Sequence, residues 1–215
     1  MDLKEFKLKN LGIEPKIYKN IYTFVDFGNV NYWFEYDEKD YDDNKLSEDT
    51  KLAVDVKKLA DFIDLFSIHK RFYFGIDDQR TQSLTIIAKA RKYFKTIAKP
   101  IQRIKHYLKK EEIKTNTREI NKDSKGKYIL IPKCNFDVEI CIDAFRLLDK
   151  YDTFCLFSSD ADFAYLVEFL HHQNKRVILF SSGYVSRWLK EKVDLNINCQ
   201  KIKQVITFIK RKSRR

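Results

Sequence analysis

Aspartates recur in this chain where apolar runs stop. The stretch "YTFVDFGNVNYWF" (22–34) carries four strand-forming residues into Asp26, and Gly28, Asn29 and Asn31 follow at once. A second run, "RFYFGI" (71–76), leads into Asp77 and Asp78. A third, "TFCLFS" (153–158), leads through Ser159 into Asp160 and Asp162. Each aspartate taken singly is an ordinary turn or helix-capping residue. Gathered on one edge they would repel one another, and such a cluster persists when a cation neutralises it or protons are shared. Oxygen-only ligands without paired His or Cys suit Mg²⁺ or Mn²⁺ better than zinc.

One further segment offers carboxylates. "FDVEICIDAFRLLDK" (136–150) reads as a helix capped at Asp137. At 100° per residue, Ile140, Ala144 and Leu147 define an apolar stripe, with Cys141 and Leu148 on one shoulder and Asp143 on the other, about 40° from Leu147. A carboxylate bordering a packed face is costly without a partner. A metal shared with Asp26 and Asp160 is the expected partner; a surface pair with Arg146 or Lys150 is the alternative. Glu139 lies one turn before Asp143, either behind the ligands or in solvent.

These residues need a scaffold. Residues 21–26, 71–76, 153–158 and 176–181 are short, mostly apolar and do not alternate cleanly, as expected of parallel strands covered on both faces. Helical patterns lie between them at 54–66, 83–94, 136–150 and 161–175. The alternation predicts a doubly wound α/β sheet, whose strands deliver their carboxyl ends to one edge, where open α/β folds place their sites. Residues 35–50 read as an acidic loop. Residues 98–132 read as an inserted basic hairpin turning at "DSKG" (123–126). With 215 residues and only five Gly and three Pro, the chain is expected to form one domain.

The net charge is +11, unevenly placed. Residues 89–128 hold fourteen Lys/Arg against four Asp/Glu, and the tail 201–215 holds seven Lys/Arg and no acid, so the remainder is net acidic. Two basic arms around an acidic body fit a polyanionic partner, with RNA expected and Lys109, Lys110, Lys114 and Arg118 as the arm's phosphate contacts. Tyr32, Trp33 and Phe34 either stack an unpaired base or pack the loop.

Other classes are excluded or weaker. Cys134, Cys141, Cys155 and Cys199 form no CxxC pair and no metal-ligand spacing with the four histidines, so reduced thiols in a cytoplasmic protein are expected. The polar, lysine-rich residues 1–20 do not read as a signal peptide, no apolar run suffices to span a bilayer, and no membrane partner is expected. A dehalogenase-type phosphatase needs D-x-D after its first strand, where Gly28 stands. A Toprim-type site needs a glutamate where Asp26 stands. A rival of another class is a non-catalytic RNA-binding or adaptor module, although clustered carboxylates facing RNA bring a pure binder no advantage. Oligomeric state stays open, a homodimer included.

The motifs resemble those of NYN domains, in the bacterial subgroup named after LabA. "FVDFGNVNYWF" is similar to their opening D-x-x-N motif, from Asp26 to Asn29. "KCNFDVEICIDAFRLL" (133–148) resembles their basic-then-D-V helix, and "LFSSDADFAYLVEFLHHQNKRVILF" (156–180) their S-G-D-x-D-F signature. "SRWLKEKVDLNI" (186–197) resembles their closing segment, ending at Asp194. The resemblance implies a PIN-like three-layer sandwich with a central parallel sheet of order 3-2-1-4-5, and a Mg²⁺- or Mn²⁺-dependent ribonuclease site. It implies Asp26, Asp143 and Asp160 as the metal-holding triad, Asp162 and Asp137 as accessory acids, and Asn29, Lys133 and Ser159 beside the substrate. Ser159 departs from the family's usual Gly before Asp160.

Overall fold

The computed structural model describes residues 3–79, 81–115 and 119–212 of the chain. Its strands are β1 (Ile21–Asp26), β2 (Thr50–Val54), β3 (His69–Ile76), β4 (Lys95–Pro100), β5 (Gln102–Tyr107), β6 (Asn121–Asp123), β7 (Gly126–Lys133), β8 (Thr153–Phe157), β9 (Arg176–Ser181), β10 (Leu195–Asn198) and β11 (Thr207–Arg211). Its helices are α1 (Leu3–Asn10), α2 (Phe27–Val30), α3 (Val56–Ile63), α4 (Thr81–Ala90), α5 (Lys110–Thr115), α6 (Asp137–Arg146), α7 (Ala164–His172), α8 (Arg187–Lys192) and α9 (Lys203–Ile206).

Six parallel strands form the central sheet, in the order β10-β9-β8-β1-β3-β4. The chain therefore runs outward from β1 to β4, then returns beside β1 at β8 and proceeds the other way. The expected five-strand order acquires a sixth member, β10, whose sequence "LNIN" is legible only as part of a closing motif. The central strands are apolar on both faces for a visible reason. Val25, Cys155 and Phe157 enter one core, with Phe62 and Ile63 of α3, whereas Phe24, Phe154 and Leu156 enter a second, with Ile140 of α6 and Val167 of α7. Helix α3 buries Val56, Leu59, Ala60 and Ile63, the spacing of one helix face, and Asp55 caps it by accepting from the amides of Lys57 and Lys58.

Two expectations need correction. The insertion is not a simple hairpin: β5, β7 and β6 form a three-stranded antiparallel sheet, with α5 in the β5–β6 connection and the two-residue turn Ser124–Lys125 between Asp123 and Gly126. The basic tail is not a free arm. Ile202 and Ile206 are buried, and β11 pairs antiparallel with β2. The tail also lies on the acidic loop 35–50. Lys203 Nζ reaches Asp37 at 3.1 Å, and Lys212 Nζ donates to the Glu48 carbonyl at 2.8 Å. The two charge runs thus neutralise each other in part. Among the described residues no helix is long and apolar enough to cross a membrane.

Candidate functional site

The carboxyl ends of β1 and β8 lie side by side at the point where strand order reverses, the position at which open α/β sheets leave a crevice. Val25 pairs with Phe157, so the next residues, Asp26 and Ser158, stand opposite each other. Ser158 Oγ donates to Asp26 Oδ2 at 3.1 Å. The same hydroxyl accepts from the Asp160 amide at 3.2 Å, and Asp160 Oδ1 caps the following 3-10 turn by accepting from the Asp162 amide at 3.1 Å. One serine thus fixes the spacing between the carboxylates of two strands.

Asn29 ties the two loops together. Its Oδ1 accepts from the Ser159 amide at 3.0 Å and from Trp33 Nε1 at 2.8 Å. Ser159 Oγ faces the other way, donating to the Ser182 carbonyl at 2.7 Å and accepting from the Ser182 amide at 3.1 Å. Its hydroxyl links the ends of β8 and β9 instead of facing a substrate, so only its amide belongs to the site.

Asp137 comes from the opposite wall. Asn135 holds it twice, donating from Nδ2 to Asp137 Oδ2 at 2.6 Å and accepting from the Asp137 amide at 2.8 Å. The segment that delivers it can lie so close because β3 carries Gly75: a Cβ there would meet Cys134 Cβ at 2.8 Å and Ile101 Cγ2 at 2.7 Å. One oxygen from each of Asp137, Asp160 and Asp162 lies within 4.8 Å of the others. Asp26, Gly28, Asn29, Lys133, Cys134, Asn135, Phe136, Asp137 and Asp160 line a cleft of about 230 Å³.

The electrostatics of this cleft are strained. Burial pushes the Asp26 carboxyl up to about 6, against the pull of the Ser158 hydroxyl and the Asn29 amide, and the charges of Asp137 and Asp160 add to the rise. Asp137 is raised too, first by burial and then by Asp160 and Asp162, with Asn135 opposing. Asp137, Asp160 and Asp162 therefore converge, and Asp26, held above the ordinary carboxylate range, lines the same cleft as Asp137 and Asp160 but stands outside that trio.

Asp143 does not join them. Its Oδ2 accepts from Arg71 Nη1 at 2.6 Å and from the Tyr73 hydroxyl at 2.8 Å. The shoulder position does border the packed face and does require a partner, but β3 supplies it. The acids after β3 are satisfied as well: Arg103 of β5 pairs with Asp77 and Asp78. Glu139 pairs with Lys99. Asp194 sits at the opposite sheet edge, where Arg176, His171 and the Val177 amide bind it. Of the expected aromatic trio, Phe34 is buried and Trp33 stacks on Phe157 at 6.2 Å, so only Tyr32 is exposed. Lys133 lines the cleft, and Lys109 lies on the exposed insertion. Arg118, and the side chains of Lys110 and Lys114, lie outside the described residues. Sequence reasoning missed Ser158 and Asn135 as holders of carboxylates. The Asn-x-Asp spacing at 135–137, a short-range turn signal, was the available clue.

The family model of the NYN domain matches residues 20–200. Over 90 residues the chain is 31% identical to the low amplitude and bright protein LabA of Synechococcus elongatus, a match covering 41% of this chain and 48% of that protein, about half its length. A crystal structure of a protein of unknown function from Vibrio parahaemolyticus superposes with a TM-score of 0.56 at 18% identity, over 91% of this chain and 99% of that one. That likeness concerns the fold, an α/β sandwich around a parallel sheet.

Proposed function

The chain belongs to the NYN domain family, and from that premise we propose that it is a divalent-metal-dependent endoribonuclease. The observation that carries the proposal is the convergence of Asp137, Asp160 and Asp162, with Asp26 lining the same cleft at the strand-order switch.

The donors fit a hard dication. All are carboxylate oxygens, the set preferred by Mg²⁺ and Mn²⁺. One carboxylate oxygen from each of Asp137, Asp160 and Asp162 already lies within 4.8 Å of the others, so these residues would hold the ion. Burial raises the Asp26 and Asp137 carboxyls, and the neighbouring acids add to the rise, a contribution that a bound cation would offset. In this reading Asp26, Asp137, Asp160 and Asp162 hold Mg²⁺ or Mn²⁺, and Asp143 is replaced in that role by Asp137. When bound, the ion lowers the pKa of a water molecule and offsets charge on the phosphoryl group.

The chain's own residues do the rest. Ser158 and Asn135 keep Asp26, Asp160 and Asp137 in register. Asn29 locks the β1 loop to the β8 loop, which fixes Asp26 relative to Asp160. Lys133, a cation lining an otherwise acidic cleft, meets the phosphate that the carboxylates alone would repel. Without a cation, burial leaves Asp26 holding its proton below about pH 6.

The test is cleavage of mixed single- and double-stranded RNA with Mn²⁺, Mg²⁺ or EDTA, run beside Asp160→Asn. The expected result is metal-dependent cleavage that falls by orders of magnitude in the variant. Absence of metal-dependent cleavage by the wild type, with RNA still bound, would instead identify a binding module.

A further inference from the structure

The aromatic residues that the sequence places beside the first motif are largely spent on packing, yet large aromatic surface is exposed elsewhere, on the two helices that contact the turn carrying Asp162. Tyr165 on α7 is 73% exposed and Trp188 on α8 is 43% exposed. Their rings meet edge to face, with centroids 5.2 Å apart and an interplanar angle of 81°. Isolated exposed aromatics are common, but a paired set marks a contact surface. Tyr165 lies three residues after Asp162, about 5 Å along a helix axis, and α8 packs against the 3-10 turn that carries Asp162. Tyr184, 91% exposed, stands in the loop entering α8, after Gly183 at φ 69°.

We infer that Tyr165 and Trp188 form a stacking platform for an unpaired base of single-stranded RNA whose backbone passes the acidic cleft. The inference rests on the ribonuclease reading and names its substrate class. The chemistry of the rim favours a nucleic acid over a protein partner. Helix α8 carries Arg187, Lys190 and Lys192 against one acid, Glu191. Lys192 Nζ stands 5.5 Å from the Trp188 ring centroid and also pairs with Glu168 at 2.9 Å. Arg187 pairs with Glu191 across one turn at 2.6 Å, both side chains largely in solvent. Such an exposed pair is weak and exchanges readily for a phosphate. Rings beside exchangeable cations, next to a cleft that needs a backbone brought to it, are the parts of a single-strand site. A duplex keeps its bases stacked on each other and offers none to these rings.

The experiment uses the full chain in EDTA with a fluorescein-labelled mixed-sequence RNA, either single-stranded or annealed to its complement. Trp188→Ala is expected to weaken single-strand binding by about 5- to 100-fold, with duplex affinity changed far less. Tyr165→Ala acts in the same direction, and Trp188→Phe retains most of the affinity. Single-stranded RNA should quench tryptophan emission in the wild type, and Trp188→Phe, which leaves Trp33 as the emitter, should lose that quench. Unchanged single-strand affinity in both alanine variants overturns the platform. So does an equal loss for duplex, or variants that convert a sedimenting dimer to monomer while RNA affinity holds, which would assign this face to a second copy of the chain. Wild-type cleavage with Mn²⁺ is measured in parallel. Intact stacking without cleavage sinks the nuclease reading alone; intact cleavage without stacking sinks the platform alone; no RNA binding at all sinks both.

Discussion

Arg71 and Asp143, 72 residues apart in sequence, meet with Nη1 2.6 Å from Oδ2, and the Tyr73 hydroxyl donates to the same oxygen at 2.8 Å. The two charged side chains are only 14% and 15% exposed. Burial and the Asp143 hydrogen bond together hold the Tyr73 phenol well above its ordinary range. The pair therefore joins α6 to β3, with Asp143 Oδ2 accepting from both Arg71 and Tyr73.

Asp143→Asn is expected to cost about 3 kcal/mol of stability, because Arg71 is left uncompensated, and to leave Mn²⁺ binding near wild type. Asp160→Asn should do the reverse, with stability little changed and Mn²⁺ binding lost. Denaturant melts and titration calorimetry on both variants check this. An Asp143→Asn protein of unchanged stability that no longer binds Mn²⁺ would return Asp143 to the metal site.

The raised Asp26 carboxyl makes a pH prediction for the metal-free protein. Between its ordinary value of 3.8 and about 6, the folded chain binds a proton that the unfolded chain has released. This contribution to stability therefore falls as pH rises through that window. A rise of about two units corresponds to about 3 kcal/mol at most. Asp26→Asn removes the charge that causes the loss. In EDTA the variant should match the parent below pH 4 and exceed it above pH 6. A variant less stable than the parent at pH 7 would contradict the assignment.

Replacing Lys109, Lys110, Lys114 and Arg118 by glutamine should weaken RNA binding and flatten its salt dependence. For a single strand, the slope of log K against log salt should shrink by about 0.7 for every phosphate that no longer meets a cation. Metal binding should not change. An unaltered slope would show that the insertion's charge is solvated surface.

The legible part of this chain was the part governed by local pattern. Strands such as β8, buried on both faces, announce themselves as unbroken apolar runs, and an aspartate at the end of such a run must lie on the sheet's edge. Asp26 and Asp160 are found that way. The helical wheel places Asp143 correctly on the shoulder of α6 but suggests the wrong partner, because a wheel gives direction and not what lies opposite. Arg71 follows His69 and Lys70 at the polar start of β3, and nothing local says that it turns toward α6. The tail misleads for a different reason. Its seven cations suggest a solvated arm, while "VITFI" (205–209) contains the buried Ile206 and the start of β11.

Ile206→Ala tests that correction. The side chain is fully buried among residues of α3 and the sheet, so truncation should cost about 2–5 kcal/mol. RNA affinity at a temperature where the variant stays folded should be unchanged. A cost below about 1 kcal/mol, within the range of ordinary surface substitutions, would mean that the tail is not part of the core.

The ribbon of β2 and β11 also sets an order of events in time. Lys58 Nζ donates to the Thr207 carbonyl across 149 residues of sequence, and the acidic loop before β2 takes its counter-charges from Lys203 and Lys212. Contacts of such long separation bear the full entropy of loop closure before they are rewarded, so they form slowly. During synthesis, β1 and β2 emerge long before their last partners, β8 and β11. The Asp37 loop then waits, flanked by the apolar edge of β2, until Lys203 and β11 arrive. The nascent chain is thus most exposed to aggregation at that edge, and completion of β11 is the step that ends the exposure.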